Sequence, residues 1–142
     1  MKINHLGYVT RDLDAALHSF HLLGYQDMYE APRVHGPKNL RTMRVRLGDS
    51  IAEVMTVNDA TKLSFIDGSL ASSTEKLIMN HVCYDVGDIR KIFEELLATG
   101  EYTVYEDITT GVFQTNLIGY LHHDVMGYIE FFEWPREAGD ET

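Results

Sequence analysis

At 142 residues, with 44% hydrophobic and 24% charged side chains, the chain is long enough for one well-buried domain or for two half-domains sharing a core. A formal charge of −10 excludes nucleic acid and anionic membrane surfaces as natural partners, because both need a basic footprint to displace counterions. No apolar run approaches the roughly 18–20 residues of a membrane span, the single cysteine rules out an internal disulfide, and Met-Lys-Ile-Asn-His lacks the order of a secretory signal. The expectation is a cytoplasmic protein with a small-molecule partner.

In chain order, residues 3–9 are short and rich in β-branched and aromatic side chains, which predicts a strand. It runs into a helical pattern, with Leu13, Ala16, Leu17 and Phe20 on one stripe and Gly24 as terminator. Residues 42–47 alternate apolar with polar, and Gly48-Asp49 turns the chain into 50–56, so a hairpin is expected. The stretch 57–75 connects the halves, with a short helix around 61–67 and Ser72-Ser73-Thr74 as linker. A strand at 80–86 follows, then a helix capped by Asp88 with Ile89, Ile92, Phe93, Leu96 and Leu97 on its buried stripe, ending at Gly100. Strands at 102–106, about 113–121 and 128–133 complete the chain, with a turn through His122-His123-Asp124 and a frayed tail from Pro135.

The two halves are copies. Asn4-His5-Leu6-Gly7-Tyr8 recurs as Asn80-His81-Val82-Cys83-Tyr84, a shift of 76, and the same shift carries Asp12 onto Asp88, Leu17 onto Phe93 and Gly24 onto Gly100. One extra residue after Gly100 makes the shift 77, which carries Tyr25 onto Tyr102 and Glu53 onto Glu130. Two His and two Glu are therefore related by one duplication, and imidazole with carboxylate suits divalent first-row metals. Strand alternation puts His5, Gly7 and Val9 on one face, and likewise His81, Cys83 and Asp85. Ile51, Glu53 and Met55 share a face, as do Tyr128, Glu130 and Phe132, so each Glu points into an apolar surrounding where a carboxylate must be paired or metal-bound. Five of the twelve basic residues, Arg33, Lys38, Arg41, Arg44 and Arg46, cluster in the first half. They read either as a local site for a substrate anion, with Arg44 and Arg46 foremost, or as a solvated strand face.

The ordered set His5-Leu6-Gly7-Tyr8-Val9 with Asp12, His81-Val82-Cys83-Tyr84-Asp85 with Asp88, and Gly127-Tyr128-Ile129-Glu130 resembles the vicinal oxygen chelate superfamily over about residues 3–134. That superfamily includes glyoxalase I, methylmalonyl-CoA epimerase, extradiol dioxygenases and bleomycin-resistance proteins. The resemblance implies an α+β domain of two βαβββ modules, 1–72 and 73–142, closing a cup-shaped mixed sheet. It also implies a divalent metal, Zn, Ni, Co or Mn, on His5, Glu53, His81 and Glu130, and a homodimer. The implied chemistry is a lyase, isomerase or epimerase reaction, lactoylglutathione lyase-like or acyl-CoA epimerase-like, with the substrate chelated through adjacent oxygens. Glu130 is the first candidate base and Glu53 the second. Two features depart from the epimerases: Glu53 stands where they usually offer Gln, and the preceding strand offers Met43, Arg44 and Arg46 where they carry a further carboxylate base. Other members of the same fold set the alternatives: a metal-free binding or resistance protein, or a dioxygenase using Fe on His5, His81 and Glu130.

Other residues invite plainer readings. Cys83 reads as a small buried hydrophobe, and His122 and His123 as exposed turn residues. His18, His21 and His35 fall on a helix or loop without a partner, and Glu133, on the face opposite Glu130, suits solvent or an interface.

Overall fold

In the computed structural model, residues 1–111 and 115–135 are described. Both expected strand-to-helix units form, and for the same local reasons. Strand β1 (Lys2–Thr10) leads into helix α1 (Leu13–Leu22), where the Asp12 carboxylate accepts the Ala15 N–H at 3.0 Å. Later, β6 (Leu77–Asp85) leads into α3 (Ile89–Ala98), where Asp88 accepts the Lys91 N–H at 3.1 Å. These carboxylates satisfy N–H groups that a first helical turn leaves without partners. Both helices stop where a glycine takes a left-handed φ, +100° at Gly24 and +77° at Gly100.

The first module continues through two short strands, β2 (Gln26–Asp27) and β3 (Arg33–His35), then the hairpin β4 (Leu40–Leu47) and β5 (Ser50–Val57). After helix α2 (Asp67–Ala71) the second module has β6, α3, β7 (Tyr102–Thr110), β8 (Leu117–His123) and β9 (Gly127–Glu133). Where the second copy runs β7 unbroken, the first copy splits the equivalent edge into β2 and β3, both antiparallel to β4. No helix of the described residues is long and apolar enough to cross a membrane.

The chain divides into two compact units, His5–Asn80 and Met1–Asn4 with His81–Thr142. In the first, β5 lies between β4 and β1, antiparallel to β4 and parallel to β1. Leu13, Ala16, Leu17 and Phe20 of α1 pack on Met43, Val45, Ala52 and Val54. In the second, β9 lies between β8 and β6, antiparallel to β8 and parallel to β6, with β7 outside β8. Ile89 and Phe93 of α3 pack on Leu121, Ile129 and Phe131, with Ile92, Leu96 and Leu97 at the margin. Each helix thus covers one sheet face, and the side chains of opposite parity are left on the other.

Three expectations change. The short helix lies at Asp67–Ala71, not 61–67, because the Asn39 carboxamide binds the earlier backbone as a turn: it donates to the carbonyls of Asp59, Lys62 and Leu63 and accepts the Asp59 N–H. This anchors Ile66, fully buried against Val9, Leu40 and Met55. The β8–β9 turn occupies 124–126, so His122 and His123 end strand β8 and are half-buried. The strand expected from about 113 is seen from Leu117; positions 113 and 114, and the tail from 136, lie outside the described residues.

Candidate functional site

The four sequence-selected groups sit at equivalent points of the two units. In the first, Gly7 of β1 and Arg44 of β4 flank Glu53 of β5 in register. In the second, Cys83 of β6 and Tyr120 of β8 flank Glu130 of β9. The repeat therefore extends to strand pairing: by register Cys83 is the counterpart of Gly7 and Tyr120 that of Arg44, because the β8–β9 turn holds one residue more than the β4–β5 turn.

His5 is buried on the face of β1 away from α1, with Nε2 3.9 Å from Glu53 Oε1. That is too long for a hydrogen bond. It is nearer the roughly 3.4 Å that separates two donors each about 2.1 Å from one tetrahedral ion. The other carboxylate oxygen, Oε2, accepts a hydrogen bond from Arg44 Nε at 3.1 Å. Glu53 is not set among apolar groups alone, as its i±2 neighbours Ile51 and Met55 suggest, since its cross-strand neighbour is a guanidinium. The signal was available: a two-residue turn at Gly48-Asp49 pairs Leu47 with Ser50 and so Arg44 with Glu53.

In the second unit His81 is 1% exposed and Glu130 6% exposed. The His81 ring meets the Tyr120 ring edge-on, with centroids 5.4 Å apart. Tyr120, which no feature of the sequence singles out, begins a run of ring contacts through Tyr105 and Tyr128 to His122. Tyr105 joins that run because β7 shifts register between Val104 and Glu106, an irregularity that re-aims the intervening side chain. Burial raises the Tyr105 phenol above its ordinary pKa, with smaller contributions from Tyr128 and Glu106.

The basic cluster disperses. Arg44 pairs with Glu53, Arg33 lies over the Tyr29 ring at 3.6 Å, and Lys38 stands 4.5 Å from the Phe65 ring centre, while Arg41 and Arg46 are exposed. Cys83 is fully buried. Glu133 plays a structural role, since its Oε2 accepts the Ile89 N–H at 2.8 Å, at the start of α3. His21 and His35 do have partners, His21 Nε2 standing 2.6 Å from Asp27 Oδ1 and His35 Nδ1 accepting the Lys38 N–H.

No family model matches the chain, and no curated protein sequence does. Solved structures do. Methylmalonyl-CoA epimerase from Mycobacterium tuberculosis is similar at 20% identity, with a TM-score of 0.74 over 96% of this chain and 89% of that one. A single-substitution variant of Streptomyces coelicolor methylmalonyl-CoA epimerase, in complex with 2-nitronate-propionyl-CoA, gives 17% identity and a TM-score of 0.76 over 96% and 99%. A hypothetical protein from Bacillus halodurans C-125 gives 15% and 0.78 over 98% of each chain. At these identities the likeness establishes the fold alone, the α+β arrangement of the methylmalonyl-CoA epimerase structures.

Proposed function

We propose that this chain is a divalent-metal-dependent enzyme that moves a proton at the carbon next to a carbonyl, in a small substrate chelated through adjacent oxygens. Acyl-CoA thioester epimerisation is the first reaction to test, and hemithioacetal isomerisation the second. The observation that carries this reading is the repeated register: each unit holds one buried histidine and one carboxylate on the sheet face turned from its helix. The epimerase likeness supports the acyl-CoA choice.

The donor set fits a metal. In one unit His5 and Glu53 offer an imidazole and a carboxylate with Nε2 and Oε1 3.9 Å apart, and the other unit offers the same donor types in His81 and Glu130. Imidazole and carboxylate together suit Zn, Ni, Co or Mn. When bound, such an ion would polarise the substrate carbonyl and stabilise the enediolate formed by proton loss. Of the chain's own groups, His5 and His81 would hold the site, buried and fixed by strand packing. Glu130 would take the proton and return it, its low exposure keeping bulk water from the carboxylate. The strand before Glu53 offers Met43, Arg44 and Arg46 where the resemblance implies a further carboxylate base in the epimerases, which would leave the proton to Glu130. The enzyme would act as a cytoplasmic homodimer.

The test is elemental analysis of the full chain purified without chelator or affinity tag, followed by exchange of the substrate α-proton for deuterium. The expected result is near-stoichiometric Zn, Ni, Co or Mn, exchange on an acyl-CoA thioester, and loss of that exchange in Glu130→Gln. Bound iron would favour the dioxygenase, and no uptake of metal by the folded chain would favour the binding protein. Equal metal affinity in His5→Ala, Glu130→Gln and the parent would place the site elsewhere.

A further inference from the structure

We propose that Arg44 is a positioning residue that holds Glu53 to one-oxygen ligation and makes the two duplicated carboxylates unequal. The inference rests on the metal reading above and assigns to it a residue outside the ligand set. Arg44 and Glu53 face each other across β4 and β5, and their side chains are 20% and 16% exposed. The hydrogen bond from Arg44 Nε occupies Glu53 Oε2 and leaves Oε1 as the oxygen turned towards His5 Nε2. A guanidinium never gives up its charge in a protein, and here the Nε edge of its planar fork holds one carboxylate oxygen. Such outer partners orient the groups that bind a metal directly.

The duplication sharpens the point. At the position equivalent to Arg44 the second copy has Tyr120, and at the position equivalent to Gly7 it has Cys83. The carboxylate is repeated, whereas the cation beside it in register is not. Glu53 is therefore the carboxylate with a guanidinium beside it in register, and Glu130 the one flanked by Cys83 and Tyr120. An Arg44 that only joined two strands would affect stability alone.

The experiment uses the full chain loaded with Co(II), whose visible bands lose intensity and shift as coordination number rises. Arg44→Met is expected to release Glu53 Oε2, let the carboxylate bind through both oxygens, weaken and shift the bands, and change Co(II) affinity by about tenfold, the low end for an outer partner. Arg44→Lys keeps the charge without the fork, so it is expected to move the bands less in the same direction. It also serves as the test should Arg44→Met not fold. In a Glu53→Gln background, Arg44→Met is expected to add no further spectral change, because Arg44 acts through Glu53. Spectra of both Arg44 variants that superimpose on the parent's, even with lower melting temperatures, would overturn the proposal and leave the metal reading standing. A parent that takes up no Co(II) would overturn the metal reading, and this assignment with it.

Discussion

Gly119 in β8 lies under the ring of Phe93, and replacing it with alanine tests how tightly α3 is packed on its sheet. A Cβ at position 119 would stand 2.6 Å from Phe93 Cζ and 3.3 Å from both Cε atoms. Carbon atoms rest about 3.5–4.0 Å apart, so the tip of the ring must retreat by roughly 1 Å. Phe93 is 4% exposed and is held edge-on against Phe131 with centroids 5.9 Å apart, which leaves it little room to yield. Overpacking of this kind costs about 1–3 kcal/mol. Removing a strand glycine offsets about 0.5–1 kcal/mol of that, through lower entropy of the unfolded chain. The net expectation is a loss of about 1–2 kcal/mol, or roughly 3–6 °C in melting temperature for a domain of this size. Phe93→Leu removes the ring tip, and in that background Gly119→Ala is expected to be neutral or stabilising. Urea unfolding of the four proteins gives the coupling directly. Purely additive losses would refute the reasoning, since they would mean that the two positions do not meet.

Other outcomes follow from the same geometry. Glu133→Ala removes the acceptor for the Ile89 N–H and is expected to cost about 1 kcal/mol, read as a lower urea midpoint; an unchanged midpoint would return Glu133 to a solvent role. Burial raises the Tyr105 pKa above the ordinary 10.0, with Tyr128 and Glu106 adding to it, so the folded state favours the neutral phenol. Its contribution is complete below pH 10 and is lost as pH rises through the folded pKa, so Tyr105→Phe is expected to flatten the alkaline fall in urea midpoint. An identical fall in parent and variant would contradict that account. Cys83, fully buried, is expected to react with a thiol reagent only after denaturant is added, and rapid modification of the native protein would show that its strand opens.

What can be read from residues alone here is whatever acts within a turn of helix or along one strand. Asp12 and Asp88 cap, Gly24 and Gly100 terminate, and the stripes between them face the core, because each effect joins groups no more than a few positions apart. The duplication is legible too, since the shifts of 76 and 77 are a property of the letters. Strand alternation also selected both carboxylates, and Glu130 is buried as its apolar flanks imply. It did not disclose who stands beside them. Alternation describes side chains two apart on one strand, whereas the neighbours of Glu53 and Glu130 come from adjacent strands through register, which brought Arg44 to one and Tyr120 and Cys83 to the other. Glu133 became a helix cap, and His122 and His123 became strand residues, for similar reasons: a helix N-terminus forty-four positions away and the length of a hairpin decided them. Local chemistry specified the elements and the ligand types, and tertiary pairing alone decided the partners of each carboxylate, because hydrogen bonds and charges act through distance in space and not along the chain.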